Sequence, residues 1–354
     1  MTTARKSKPA DSKATIYDIA KLAGVNASTV SRALGKPGRV STKTQKLVED
    51  AAAQLNYTVN PFARALPTGR TNTFGLIVSD ITNPIYFDVI RGAEAAAAAS
   101  GFTMILAESA ESAETEFTVA TRMAPATDGI VLASPRMPDP QIRELSAFKP
   151  VVVINRLVDE VASVVPDVGP GLGEAVRHLA ANGHRRLVFL AGPQRSWMAG
   201  RRWESFRAAC EWSRLESVSV PTKSPTLDGG RQAARDVIAS GATAALCYND
   251  LLAIGLMQEL QAAGINIPDE FSVVGFDNIF GSDFTTPQLS SIASPLLECG
   301  AVALEQLLAI SRGPGSGHRP GGLAGSGVPG ARPLVLSTRL VVRGSSGRLV
   351  TALT

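Results

Sequence analysis

The chain has 354 residues, of which 45% are hydrophobic, and a formal net charge of +4. This length is sufficient for two sizeable cores and a small module besides. Cys210, Cys247 and Cys299 are far apart in the sequence and have no clustered histidine partner, so we expect no disulfide scaffold, no metal and no cofactor. An apolar leader and a run of roughly 20 apolar residues are both missing, and we therefore expect a soluble, cytoplasmic protein.

The basic residues are concentrated towards the amino terminus. Residues 1–70 hold 12 lysines and arginines against 4 acidic residues, whereas the rest of the chain holds 23 against 27. A basic front end on a mildly acidic body indicates contact with a polyanion, although a solvated basic tail would have the same composition. We expect residues 1–14 to form a disordered basic tail.

Three short helices are predicted between residues 15 and 58. The first begins after Thr15 and ends before Gly24, which has no Cβ and can adopt the left-handed conformation of a helix C-cap. Asn26 is a favourable N-cap for a second helix, ASTVSRALG. A third helix from residue 41 is expected to turn four residues inward: Leu47, Val48, Ala51 and Leu55. Since such short helices are unstable alone, we expect the three to share one core.

This packing leaves the outer face of the second helix without cover from the protein. Its side chains are short except for Arg32, whose guanidinium can donate two hydrogen bonds to guanine O6 and N7. The arrangement predicts a helix-turn-helix whose second helix enters the major groove, with further contacts to phosphates. The alternative is a purely structural helical hairpin. The candidate DNA-binding residues are Ile16, Tyr17, Asn26, Ala27, Ser28, Thr29, Ser31, Arg32 and Tyr57.

The stretches TIYDIAKLAGVNASTVSRAL and VSTKTQKLVEDAAAQLNYTVNPFARAL resemble the headpiece of the lac-repressor (LacI/GalR) family of bacterial regulators. The resemblance covers residues 15 to about 310 and resumes at the final strand. It implies that residues 59–71 form a hinge that folds on DNA, with Asn60, Ala63 and Leu66 at the duplex. Leu66 matches the leucine that the family inserts between base pairs, although it could instead be an ordinary contact of the larger domain. Pro67 departs from the family, which more often has a polar or charged residue there.

From residue 72, apolar strands alternate with helical stretches. Strands are predicted near 74, 102, 129, 151 and 163, and a second series begins at 186 and continues at 217, 244 and 272. Two such series predict an α/β domain of two lobes with parallel sheets, similar to type I periplasmic binding proteins. We assign the first lobe to 72–157 and 292–312, and the second to 158–291 and 334–354. A Gly/Pro-rich insertion, 313–333, precedes one last strand, LVLSTRLVVRG.

Polar and aromatic side chains follow several strands at their carboxyl ends, where a ligand cleft between two lobes is expected. Carboxylates and amides beside an aromatic platform favour a sugar or nucleoside. The resemblance assigns ligand contact to Arg202. Tyr86 and Phe87 could equally belong to the core, and Asp250 is interpreted as a helix cap. The candidate effector-binding residues are Asp80, Asn83, Tyr86, Phe87, Asn155, Ser196, Trp197, Arg202, Asn249 and Asp277.

Together these features predict a homodimeric transcription regulator, and more specifically a repressor, that binds a pseudo-palindromic DNA operator and responds to a small molecule. The sequence has no nucleophile elbow, P-loop or dinucleotide motif, so we expect no catalysis. Two alternatives stay open: a DNA-binding regulator with a vestigial cleft, and a plain sugar-binding receptor module, against which the basic headpiece argues. The sequence leaves undecided whether the effector is an inducer or a corepressor.

Overall fold

The computed structural model describes residues 14–35, 38–57, 70–312 and 334–350. The chain divides into two compact units, residues 1–71 and 72–354. The predicted basic tail, the hinge residues Asn60, Ala63 and Leu66, and the insertion 313–333 lie outside the described residues. Among the helices that are described, none is both long and apolar enough to cross a membrane.

The first unit contains three described helices: α1 (Ile16–Ala23), α2 (Ala27–Gly35) and α3 (Thr42–Gln54). They bury one small apolar cluster, to which each helix contributes: Ile19, Ala20, Val30, Ala33, Val48, Ala51 and Ala52. Four of these seven side chains are alanine, so the helices can approach one another closely. The shared core supplies the burial that no one of these short helices could obtain alone.

Local hydrogen bonds fix where these helices begin and end. The amide and hydroxyl of Thr15 both donate to Asp18 Oδ2, at 2.9 and 2.7 Å, and this closes the first turn of α1. Gly24 ends α1 with φ of 66°, a conformation that costs glycine no steric strain. The amide of Thr44 donates to Ser41 Oγ at 3.3 Å and caps α3. The predicted inner face of α3 is wrong at Leu47, which is 46% exposed, because the buried face of the helix runs through Val48.

The second unit contains two sheets. Six of the described strands form the first sheet: β1 (Thr73–Val78), β2 (Thr103–Glu108), β3 (Gly129–Ala133), β4 (Val151–Ile154), β5 (Ala162–Asp167) and β11 (Leu334–Ser337). Six form the second: β6 (Arg186–Leu190), β7 (Glu216–Val220), β8 (Ala244–Cys247), β9 (Ser272–Asp277), β10 (Ser290–Ala293) and β12 (Arg339–Val341). The strand orders are β11-β5-β4-β3-β1-β2 and β12-β10-β9-β8-β6-β7. All neighbours are parallel except β12, which is antiparallel to β10. The predicted two-lobed α/β fold is confirmed.

Helices accompany both sheets. In the first lobe these are α4 (Ile85–Ala99), α5 (Ala113–Met123), α6 (Asp139–Phe148) and α11 (Leu296–Arg312). In the second lobe they are α7 (Val168–Ala181), α8 (Trp197–Trp212), α9 (Leu227–Ala239) and α10 (Asp250–Ala262). Helices α4 and α11 cross at two glycines. A Cβ added to Gly92 would lie 1.9 Å from the carbonyl oxygen of Leu297, and one added to Gly300 would lie 2.1 Å from that of Val89. Any side chain at either position would force the helices apart.

Strand pairing differs from the predicted lobe boundaries. The segment 162–167, predicted for the second lobe, is β5 of the first sheet, in which Val152–Ile154 pair with Ala162–Val164. The segment 290–293 is β10 of the second sheet, so the first lobe resumes at α11. The single last strand is instead two strands in different sheets, β11 beside β5 and β12 beside β10. Hydrophobic alternation identifies a strand but not its partner, and partners alone decide to which lobe a strand belongs.

Within the described residues the chain crosses between the lobes three times: after β5, after β10 and after β11. Thr338 joins two of these crossings. Its hydroxyl donates to the carbonyl of Asp167 at 2.6 Å and accepts from the amide of Gly171 at 3.1 Å. The crossing strands therefore share hydrogen bonds and form one connected region between the lobes.

Candidate functional site

The first candidate site is the outer face of α2. Val30 and Ala33 point into the core of the headpiece, while Ser28, Ser31 and Arg32 are exposed. Arg32 Nε donates to the backbone carbonyl of Ser28 at 3.1 Å, so the guanidinium rests on its own helix. The described part of this unit thus presents a face of short polar side chains with one cation, a surface suited to the edges of bases in a major groove.

The other headpiece candidates fall into two groups. Tyr17 and Asn26 are exposed, and the backbone carbonyl of Asn26 accepts the first hydrogen bonds of α2, from the amides of Thr29 and Val30. Ile16, Ala27 and Tyr57 are half-buried and pack against the shared core, and Thr29 is also half-buried. The second group therefore supports the fold of the headpiece as well as any contact with DNA.

The second candidate site is a cavity that both lobes of the second unit line. Six of the ten predicted effector-binding residues line it: Asn83, Tyr86, Asn155, Arg202, Asn249 and Asp277. The sequence reasoning missed seven others: Ile85, Glu111, Ser134, Arg136, Met198, Pro225 and Tyr248. Two of the missed residues, Ser134 and Tyr248, come directly after β3 and β8. They would have been found by the rule that polar side chains converge beyond the carboxyl ends of parallel strands.

The wall from the second lobe is built on an ion pair between α8 and β9. Arg202 Nη2 lies 2.6 Å from Asp277 Oδ1 and Nη1 lies 3.3 Å from Oδ2, a bidentate arrangement. The guanidinium also donates to the carbonyl of Tyr248, and its carbon lies 3.7 Å from the centroid of the Phe276 ring. Both charged side chains are almost wholly buried, at 3% and 2% exposure. Burial raises the pKa of Asp277, and the facing guanidinium of Arg202 opposes that shift.

The wall from the first lobe is a second ion pair, held in a chain of hydrogen bonds. Arg136 Nε lies 2.6 Å from Glu111 Oε2, and Nη2 lies 3.1 Å from Oε1. The hydroxyl of Ser79 donates to Glu111 Oε1 at 2.9 Å and itself accepts from the Tyr86 hydroxyl at 2.6 Å. Burial by itself would lower the pKa of Arg136, but pairing with Glu111 raises it. Burial raises the pKa of Tyr86 to about 12, so this phenol stays neutral.

Two buried polar atoms of the cavity lining lack a hydrogen-bond partner among the described residues. They are the acceptor Asn155 Oδ1 and the donor Arg202 Nε. The amide nitrogen of Asn155 is already engaged, since it donates to Ser134 Oγ at 3.0 Å. Buried polar atoms without partners are costly in a folded protein.

The cap of α10 is Asn249, which also lines the cavity, and not Asp250. Asn249 caps α10, because its Oδ1 accepts from the amide of Leu252 at 2.9 Å, while its Nδ2 donates to the carbonyl of Pro225. The predicted cap role of Asp250 is wrong. Its carboxylate is wholly buried and accepts from three donors at 2.6–2.8 Å: the Ile279 amide and the hydroxyls of Ser282 and Ser291. Burial raises the pKa of Asp250 to about 7.

Four predicted effector-binding residues are not part of the cavity lining. Asp80 accepts from the amide and hydroxyl of Thr82 in a local turn, and Phe87 is exposed on α4. Ser196 caps α8 by accepting from the amide of Ala199, and its hydroxyl lies 3.1 Å from that of Tyr248. Trp197 packs against the core of the second lobe. Tyr86 lines the cavity, but it is also part of the first-lobe core, as the alternative interpretation held.

Known proteins resemble both units of the chain. Residues 15–60 match the family described as bacterial regulatory proteins of the lacI family, and residues 176–346 match a periplasmic binding protein-like domain. The transcriptional regulator DegA of Bacillus subtilis is 31% identical over 353 residues, which cover 96% of this chain and 100% of DegA.

The chain belongs to the LacI family.

Solved structures agree with this assignment. The lac repressor dimer bound to operator and the anti-inducer ONPF has a TM-score of 0.82, covering 95% of this chain and 100% of that one, and at 24% identity it shows the fold. A LacI-family regulator from Enterococcus faecium with bound ribose has a TM-score of 0.67 and 26% identity, covering 80% of this chain and 100% of that one. This LacI-family chain is therefore a transcriptional regulator with a helix-turn-helix DNA-binding domain and an effector-binding domain, and the relatives reported are regulators rather than enzymes.

Proposed function

We propose that this LacI-family protein is a repressor without catalytic activity, which binds a pseudo-palindromic operator as a homodimer and is controlled by a sugar or nucleoside. It would act in the bacterial cytoplasm, bound to the chromosome at its operators. The observation that carries the proposal is the pairing of an uncovered α2 face in one unit with a polar cavity lined by both lobes in the other.

In this proposal the base edges are contacted from α2, mainly by Arg32, with Ala27, Ser28 and Ser31 beside it. Tyr17, Asn26 and Thr29 would contact phosphates and fix the position of the helix in the groove, as would Ile16 and Tyr57 at their exposed edges. A two-fold symmetric dimer would place one headpiece on each half of the operator. The hinge residues Asn60, Ala63 and Leu66 would add a minor-groove contact.

The effector would lie in the cavity between the ion pairs Arg202–Asp277 and Arg136–Glu111. Side chains that pair carboxylate and guanidinium groups can accept from one hydroxyl and donate to its neighbour, which suits a sugar or a ribose ring. The ribose-bound relative from Enterococcus faecium supports this class of ligand. Among the predicted residues, Asn83, Asn155, Arg202 and Asp277 are the ones that we propose to contact it.

The regulation would follow from the two-sided construction of the cavity. A ligand that contacts both lobes favours the angle between them that best matches its size. This preference for one lobe arrangement would cause the change in DNA binding. The same coupling is reciprocal, so operator DNA must change the affinity for the effector by the same factor that the effector changes the affinity for DNA.

Selection of bound DNA from a random pool tests the proposal, repeated with and without sugars and nucleosides that raise the melting temperature. We expect a two-fold symmetric consensus, binding that weakens steeply with salt, and at least one compound that changes the yield of bound DNA. Binding with no symmetric consensus would contradict the operator proposal. A consensus that no compound affects would instead indicate a vestigial cleft.

A further inference from the structure

The charges that line the cavity cancel one another. Among the described lining residues four are charged, and they form two pairs, Arg202 with Asp277 and Arg136 with Glu111. Both pairs are bidentate, with at least one contact of 2.6 Å in each. Each guanidinium already has a carboxylate as its counter-ion, so neither offers an uncompensated charge to a carboxylate or phosphate of the ligand, and neither carboxylate offers one to an ammonium group.

A charged ligand would therefore have to break a pair or remain unpaired in a buried site. Both outcomes cost free energy, because a buried charge without a partner keeps the full penalty of its lost hydration. Hydroxyl groups carry no such penalty. They can donate to an outer lone pair of a carboxylate while both ion pairs stay intact.

We propose that the cavity selects an uncharged, hydroxyl-bearing ligand, and that Glu111 excludes the anionic analogues of that ligand by occupying Arg136. The inference rests on the proposed effector function of this cavity and adds the charge class of the ligand and the residue that sets it. Glu111 itself is a specificity-determining residue, which acts through the guanidinium of Arg136.

Glu111 is the partner that can be changed without dismantling the site. Its side chain is 35% exposed, whereas that of Arg136 is 6% exposed and that of Asp277 is 2% exposed. Replacing Glu111 by glutamine removes the charge and keeps the shape. Arg136 would still donate from Nη1 to the carbonyl of Ser134, at 2.7 Å, and would therefore stay at the wall of the cavity. The wall would then carry one positive charge without an acidic partner.

The experiment uses the full-length protein and matched pairs of probes, one neutral and one anionic. Glucose with glucuronate and galactose with galacturonate differ by a carboxylate at nearly constant size, and ribose with ribose 5-phosphate and uridine with uridine 5′-monophosphate extend the set. Melting temperatures identify the binders, and calorimetry gives a Kd for each member of a pair. The variants are Glu111→Gln and, as a second test should that one fail to fold, Glu111→Ala. Glu216→Gln is the control, because it breaks an exposed pair with Arg186, at 3.3 Å, outside the cavity lining.

We expect the wild type and E216Q to bind the neutral member of a pair far more tightly than the anionic one. In E111Q the ratio of the anionic Kd to the neutral Kd should fall by about tenfold or more. Equal or tighter binding of the anionic member by the wild type overturns the inference and leaves the effector function standing, as does an unchanged ratio in E111Q. Binding of no probe of either kind, with DNA binding intact, would count against the effector function itself and would remove the inference with it.

Discussion

The two walls of the inter-lobe cavity have the same chemistry but differ in their burial. Arg202 and Asp277, from the second lobe, are both nearly inaccessible, whereas in the first lobe Glu111 keeps contact with water. A carboxylate without access to water destabilises the folded protein unless it is paired. The second-lobe pair is therefore required for stability. A partly exposed carboxylate has an alternative partner in water, so the first-lobe pair is free to vary with the ligand. The same pair of groups thus serves stability on one wall and selectivity on the other.

The largest loss of stability should come from breaking the buried ion pair of the second lobe, Arg202–Asp277. Asp277→Asn removes the charge that faces Arg202 and leaves a buried guanidinium without a counter-ion, at a cost of about 3–5 kcal/mol in the free energy of unfolding. Denaturant unfolding of the purified protein measures this loss. We also expect DNA binding by the variant to stop responding to the effector. A loss below about 1 kcal/mol, no more than for an exposed pair, would show that the two walls do not differ as argued.

A second prediction tests whether the cavity and the headpiece act as separate sites. Arg32→Ala removes the one long side chain from the outer face of α2, and base preference at one operator position should relax by about 1–3 kcal/mol. Effector affinity, measured by calorimetry without DNA, should stay at the wild-type value. An unchanged base preference would refute the role given to Arg32, and Lys43→Ala, on the exposed side of α3, serves as the comparison.

A third prediction concerns pH, which should act on the second lobe. His184 is buried there, with Nδ1 2.9 Å from Thr243 Oγ1 and Nε2 3.0 Å from Ser272 Oγ, and burial lowers its pKa. The folded state holds the imidazole in its neutral form. The contribution of His184 to the free energy of unfolding is therefore complete above the ordinary pKa of 6.5 and is lost as pH falls below it. Asp250, with its pKa raised to about 7, works in the opposite sense, since its burial costs stability as pH rises from about 4 to about 7.

Comparison of variants separates these two groups. The stability of the wild type relative to His184→Gln should shrink by about 1 kcal/mol between pH 7.5 and pH 5.5. The stability of the wild type relative to Asp250→Asn should change in the opposite direction over the same interval. Denaturant melts at the two pH values provide both differences, and a constant offset for either pair of proteins would contradict the assignment for that residue.

The smallest loss of stability should come from breaking the partly exposed ion pair of the first lobe, Arg136–Glu111. Glu111→Gln should lower the free energy of unfolding by at most about 1 kcal/mol, because water can replace much of what the partly exposed carboxylate supplies. The contrast with Asp277→Asn is the sharpest form of the comparison, since both are acid-to-amide changes at a bidentate pair with arginine. Similar losses for the two variants in the same denaturant series would mean that exposure does not set the role of each wall.

The sequence predicted the headpiece well because its signals are local. Thr15, Gly24 and Ser41 mark helix ends through their own neighbours, and the buried faces of α1 and α2 follow from the helical repeat. Leu47 was misassigned because Leu47 and Val48 are adjacent and both apolar, so the periodicity of α3 permits either face.

Asn155 and Asp277, which stand directly at strand ends, line the cavity as the strand-end rule predicts. Prediction failed for Glu111 and Arg136, whose positions depend on loops beyond β2 and β3, and for Asp250, whose three donors come from residues far along the chain. The lobe assignment of β5 and β11 failed for the same reason. Contacts between distant segments leave no mark on the local pattern.

The arrangement of α11 and β11 has a practical consequence for engineering. Arg312 ends a helix of the first lobe, and Leu334 begins a strand of the same lobe, so the segment between them starts and finishes on one side of the crossing region. A fluorescent domain inserted into that segment would be attached to the first lobe only. It would not lengthen any of the three described crossings between the lobes. With a second dye attached to the opposite lobe, such a protein would report the lobe movement that the proposed regulation requires.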